Sequence, residues 1–485
     1  MPVLPCRANL LLDNRELYQF VLACQQNCIR RDWSQFVSIA IEIESVDPLV
    51  VLQEIAKPDE INLYFENRGN GEAIAAIDAV AKLKVEGKER FNKAQKFINS
   101  CLANTITVGN INTTRVVREA AAHGKLAPFA GPHFFCSFSF FDKNAQADYP
   151  FPAATVFLPR LQVARYSDRC VLVANLVINA GVNLEILFQD LWQKIQKISL
   201  LQNSLNKNNN YRREFIKQDV TGIDNFKRVV CSSLESIRSN QLSKIVLAHA
   251  LDVSSDAPFN LFQTLNNLRR LHPDCYIFST SNGKGQNFIG ASPERLISIH
   301  NQKLMTDALA GSAPRGKTPA LDADLANRLL SSEKERREHR VVIDFITQRL
   351  YQLGIVPQLL PRRLRQLSNI QHLWTPIQAK VPANVHPLEI VAELHPTPAV
   401  AGVARDVACE GIRRYESFER GLYAAPLGWV DYQGNSEFIV GIRSALIDGD
   451  RARLYAGAGI VAGSDPDKEL AEIQLKLQAL LKALV

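Results

Sequence analysis

The sequence predicts an α+β fold, and three observations carry that expectation. Long apolar strands and amphipathic helices are mixed along the chain without regular βα alternation. No internal repeat of roughly 20–50 residues is present, which removes solenoids and propellers. At 485 residues the chain exceeds one typical core, so two or more lobes are expected.

The elements follow in order. An aromatic-rich stretch at 134–141 reads as a buried strand, and core is a commoner fate for it than a ligand wall. From 183 to about 205, Leu184, Ile186, Leu187, Leu191, Ile195 and Ile198 recur at helical spacing. The run Asn206-Lys207-Asn208-Asn209-Asn210 then reads as a loop or linker. It sets the main boundary, between a mixed α/β portion at 1–205 and a second portion at 206–485. A helix near 223–239 leads into an apolar strand at 244–253. Strands are expected at 275–280 and 287–299, and a helix at 333–350. A strand at 438–447, the turn Asp448-Gly449-Asp450 and a strand at 451–456 read as a hairpin. That last strand ends in small residues, after which a helix opens with acids.

Composition narrows the class. Hydrophobic residues make up 46% and charged residues 22%, as in an ordinary soluble globular protein. No run of about 18 apolar residues exists, so no membrane span is expected. The first residues lack a basic segment followed by an apolar stretch and a cleavage site, which argues against secretion. The nine cysteines are scattered; only Cys24 and Cys28 lie close, without histidines at zinc spacing. Reduced thiols in the cytoplasm are the economical reading. A net charge of +7, not focused into one long basic run, suits an anionic metabolite as well as a polyanion.

The richest run is Ala456-Gly457-Ala458-Gly459-Ile460-Val461-Ala462-Gly463, followed by Glu469, Glu472 and Lys476. Small residues let a ligand touch the backbone. Glu469 and Glu472 share a helix face, which Lys476 extends. A dinucleotide fingerprint would need a second strand and an acid about 20 residues on, and neither is found. The plain alternative is a solvated acidic first turn favoured by the helix dipole. Glu335 and Glu338 repeat the pattern beside the apolar stripe Val341, Val342, Phe345 and Ile346. Two such helices can face each other across a hard cation, and magnesium takes oxygen ligands of this kind. Lys244 opens an apolar strand, where a solvated strand end is the bland reading. Glu294 is a loop carboxylate that Arg295 could simply pair. Arg443 is placed mid-strand, on one face with Gly441 and Ala445, with room for a bidentate carboxylate or an internal acid.

Nine segments, in order, carry a resemblance. They are Lys244-Ile245-Val246-Leu247-Ala248, Gly290-Ala291-Ser292-Pro293-Glu294-Arg295-Leu296, Leu309-Ala310-Gly311-Ser312, Glu338-His339, Gln371-His372-Leu373, His395-Pro396-Thr397-Pro398-Ala399-Val400, Gly428-Trp429, Ile442-Arg443 and Ala456 to Val461. Over about 224–481 the sequence resembles the chorismate-utilising enzymes, which include anthranilate, aminodeoxychorismate, isochorismate and salicylate synthases. Its N-terminal part is similar to that of menaquinone- and phylloquinone-type isochorismate synthases.

The resemblance implies the anthranilate-synthase fold, large antiparallel sheets wrapped by helices. It implies Lys244 as general base for a water attacking C2 of chorismate, and Glu294 as general acid for the departing C4 hydroxyl. It implies magnesium on Glu338 and Glu472, with Glu335 and Glu469 in its outer sphere. Arg443, Lys476 and the amides of Gly457 and Gly459 then hold the substrate carboxylates. His372 lies near the leaving hydroxyl, and Gly311, Ser312, Ala399 and Tyr423 complete the pocket. Ammonia-using members carry a threonine where Ala399 stands, and they need a glutaminase, of which no pattern is seen. Lys244 with Ala399 therefore points to water as nucleophile. The partners implied are chorismate and isochorismate, without nucleic acid or a glutaminase subunit. Salicylate synthase is the alternative, and a non-catalytic chorismate-binding paralogue the alternative of another class. Ser312 and Asp307 depart conservatively from the commoner threonine and glutamate.

Overall fold

The computed structural model describes residues 14–110, 129–144, 149–201, 215–367 and 370–484. The expected linker at 206–210, and the boundary drawn there, lie outside the described residues. The described strands join into one hydrogen-bonded network. Its hinge is the strand Ala154–Tyr166. One edge of the hinge pairs with Glu72–Val85; the other pairs first with His133–Phe138 and then with Arg169–Ile178.

Two arms run out from this hinge. The first passes through Asn62–Asn67, Tyr276–Ser281, Gln286–Ser292, Ser444–Asp448 and Arg451–Val461 to Lys244–Ser254. The second passes through His133–Phe138, Pro426–Asp431, Ser436–Val440, Arg295–His300 and Lys303–Pro314 to Ile370–Lys380. Every pairing along both arms is antiparallel, and helices pack on the strands. This is the α+β architecture that the sequence predicts.

The local elements form for identifiable reasons. The helix Leu184–Ser199 starts where the Asn183 side chain accepts from the Ile186 amide, and it buries Leu184, Phe188, Leu191 and Ile198. Ile186, counted in the expected stripe, instead faces out at 65% exposure. Ser332 caps Glu333–Gln352, which buries Val342, Ile343, Ile346 and Leu350 against the second arm. Asp465 caps Pro466–Leu481, with Pro466 in the first turn where a missing N–H costs nothing. That helix seats Leu470, Ile473, Leu477 and Leu480 on the first arm, each burial stabilising by roughly 1.5–3 kcal/mol.

Two expected strands are interrupted. The stretch 287–299 breaks at Pro293 and Glu294 into Gln286–Ser292 and Arg295–His300. Proline cannot donate to a ladder, so the strand ends there and changes arms. The stretch 438–447 breaks at 441–443 into Ser436–Val440 and Ser444–Asp448. There Gly441 turns aside: its N–H donates to the Ala425 carbonyl, and its own carbonyl accepts from Ala424 N–H. The strand at 134–141 is present as His133–Phe138, and all six residues are buried. Cys24 and Cys28 are buried and form no disulfide. No helix among the described residues is long and apolar enough to cross a membrane.

Candidate active site

A cavity opens between the two arms, where the outer strands meet the two acid-bearing helices. The first arm contributes Lys244, Gly457 and Gly459; the second contributes Gly311, Ser312 and His372. Connecting segments add Glu294, Ala399, Tyr423 and Arg443, and the helices add Glu338, Glu472 and Lys476. Of the site residues predicted from sequence, Glu335 and Glu469 alone are not on this wall.

Lys244 is not a solvated strand end. It is 4% exposed, and its Nζ donates to Glu338 Oε1 at 2.6 Å. The neighbouring strand leaves room for this pair because it carries glycine. A Cβ at Gly459 would lie 3.1 Å from Lys244 Cε and 3.5 Å from Glu338 Oε1. On the other helix Lys476 Nζ reaches both Glu472 Oε1, at 2.7 Å, and the Gly457 carbonyl, at 2.8 Å. Glu338 and Glu472 are therefore each matched to an ammonium, one from a strand and one from its own helix.

Glu294 is buried at the strand break, and Arg295 is not its partner. The Arg295 guanidinium turns to Asp307, at 2.9 Å, which also accepts from Trp374 Nε1 at 2.9 Å. Burial first, and then the charge of Asp307, push the Glu294 carboxyl up to about 8 against the opposing pull of Lys244. It is protonated at neutral pH, as a general acid must be. The sign gives a prediction. The acid form is present below about 8 and lost above it, so kcat/KM should fall on the alkaline side with an apparent pKa near 8. A profile flat to well above that pH would reject the assignment.

Arg443 is not mid-strand, as alternation predicted. It sits in the break, with a left-handed φ of 50°, and its carbonyl accepts from Ala291 N–H at 3.0 Å. The guanidinium is buried, and its Nη1 has no partner. Burial holds its pKa below the usual arginine value. A buried guanidinium with an open donor on a cavity wall is an anion receptor. His372 is pushed down to about 3 by burial and by the charges of Arg443 and Lys476, so its ring is neutral. Ser312 Oγ lies 2.9 Å from His372 Nδ1. Gly311, at a bulge with φ 79°, faces Glu335, whose Oε2 would be 3.0 Å from a Cβ there.

Sequence reasoning missed Arg420. It is 1% exposed, pairs with Glu416 at 2.6 Å, and donates to the carbonyls of Val400 and Val246, at 2.9 and 2.8 Å. Val246 and Val400 both line the cavity, so Arg420 fastens two of its walls from behind. It lies in a charged segment that reads as surface, and no local signal reveals it. Tyr455, also on the wall, stacks on Tyr423 with centroids 5.1 Å apart.

The carboxylate donors fit a hard divalent cation. Burial and the charges of Glu338 and Glu472 push the Glu335 carboxyl up, and burial and Glu472 do the same to Glu469. A cation relieves such crowding. Among the described residues no three His, Cys, Asp or Glu side chains form a complete ligand set. Magnesium characteristically takes one or two protein carboxylates and fills its shell with water and substrate.

Residues 23–485 match the family model described as chorismate binding enzyme. The chain belongs to this family. The isochorismate synthase MenF of Bacillus subtilis (strain 168) is 29% identical over 92% of this chain and 93% of its own length. The solved menaquinone-specific isochorismate synthase MenF of Escherichia coli matches with a TM-score of 0.74 at 26% identity, over 96% of this chain and 99% of that one. Component I of anthranilate synthase from Streptococcus pneumoniae shares the fold, with a TM-score of 0.65 at 19% identity over 84% of this chain and 92% of its own. The fold is thus that of the chorismate-binding enzymes, and the cavity lies wholly within the matched residues.

Proposed function

We propose that this chain is a menaquinone-type isochorismate synthase, converting chorismate to isochorismate. One observation carries the reading: Lys244 and Ala399 line the same cavity as the protonated acid Glu294. An amine base and a carboxylic acid in one dry pocket can exchange a hydroxyl between two ring carbons. Lys244 acts as the base, taking a proton from the water that bonds to C2. The ring double bonds shift, the C4–O bond breaks, and Glu294 supplies the proton with which that oxygen leaves as water. Atoms and charge balance, and the reverse reaction uses the same two groups with their protons exchanged. The Nη1 of Arg443 and the ammonium of Lys476 hold carboxylates of the substrate, with the backbone of Gly457 and Gly459 close beside it. His372, being neutral, adds a hydrogen bond at the ring without adding charge. Glu338 and Glu472, with Glu335 and Glu469 behind them, would hold magnesium, which when bound neutralises a substrate carboxylate.

Product analysis tests the reading. Chorismate with magnesium should give isochorismate, without dependence on ammonia or glutamine. Isochorismate supplied alone should run back to chorismate, because similar bonds are made and broken. Stoichiometric salicylate and pyruvate would move the chain to the salicylate synthases. No turnover of chorismate, with binding retained, would make it a silent relative.

A further inference from the structure

A second cavity lies on the outer side of the helix that carries Glu335 and Glu338. Arg336, Arg337, Arg340 and Arg362 line it together with Glu333. His339 and Thr375 line it too, both buried, with His339 Nε2 and Thr375 Oγ1 2.8 Å apart. Helical spacing explains how one helix serves two cavities. Arg336 and Arg340 are i and i+4 on one stripe, whereas Glu335 and Glu338 are i and i+3 on another.

The charge around this cavity is unbalanced. Among the described residues Arg340 alone of the four arginines has a carboxylate partner, Asp344 at 2.9 Å. Arg337 gives one N–H to the Glu333 carbonyl, and Arg336 and Arg362 have no ion pair among those residues. Glu333 and Asp344 supply two negative charges against four guanidiniums. Like charges gathered on one concave wall concentrate their field there and raise the local concentration of anions. Each guanidinium offers a planar fork that fits two oxygens of one phosphate or carboxylate. A single carboxylate occupies one fork and leaves the others unneutralised. Two linked phosphates bring the charge and the oxygens for several.

We propose that this cavity is a second anion site, separate from the chorismate cavity, which takes a small molecule bearing a diphosphate group. Its occupant would lie against the same helical turns that present Glu338 to the first cavity.

The test is calorimetric titration of the full chain with inorganic pyrophosphate, without magnesium, at moderate salt. Wild type should bind one pyrophosphate per chain, more tightly than orthophosphate. The double variant Arg336→Ala/Arg362→Ala should lose about 10-fold or more in affinity, the scale of lost charge-assisted hydrogen bonds. Both positions are exposed, so this variant should melt like wild type and keep its chorismate turnover. Arg443→Ala, altered in the first cavity, should still bind pyrophosphate. Binding lost in Arg443→Ala but kept in the double variant would place the anion in the first cavity and overturn the proposal. So would an absence of binding, or equal affinity for orthophosphate and pyrophosphate.

Discussion

Lys244→Gln should lower turnover by about 100-fold or more, the scale of a positioned acid or base. Glutamine keeps a hydrogen-bond donor for Glu338 but has no amine to accept a proton, so it separates chemistry from packing. Lys244→Ala is the harsher change. It strips the partner from a carboxylate in a half-buried site, which costs stability as well as rate. Glu294→Gln should cause a loss of the same size for the opposite reason. The amide mimics the protonated carboxyl in shape, so melting should hardly move, yet it cannot give up a proton. Steady-state rates read beside thermal melts decide the matter. Near-wild-type turnover in either glutamine variant would remove that residue from the acid–base pair.

Loss of activity should also be near complete for Glu338→Ala and Glu472→Ala, whatever magnesium is added. In the intact protein a chelator should abolish turnover and magnesium restore it, and zinc should substitute poorly for all-oxygen ligands. Glu335→Gln and Glu469→Gln, which stand behind the wall, should weaken the magnesium dependence without abolishing rescue. Full activity in excess chelator would reject the cation altogether.

How much of this was legible depends on the range of the interaction. The hairpin ending in Arg451–Val461 is local, set by alternation and a two-residue turn, and it reads directly from sequence. The cap at Asp465 and the acid spacing of the last helix are equally local. Arg443 was misplaced because alternation assumes an unbroken strand. The break there is imposed by Ala424 and Ala425, remote enough to leave no periodic trace. Lys244 reads as a strand end because its partner, Glu338, lies on a distant helix. The roles proposed for His372, Ala399 and Tyr423 rest on family resemblance, since nothing in their local spacing marks them. The two arms were not visible at all, because pairing between remote strands carries no local signal.

The hinge strand has a consequence for how the chain comes into being. Ala154–Tyr166 and its neighbours emerge early from the ribosome, yet the arms they anchor are finished late. Phe135 pairs with Trp429, and Phe65 with Phe278. Until those distant strands are synthesised, the early ones present apolar edges with nothing to complete them. Such non-local pairing makes folding slow and aggregation-prone. Nascent chains halted before residue 426 should therefore hold to chaperones, and release should come only with the last strands of the second arm.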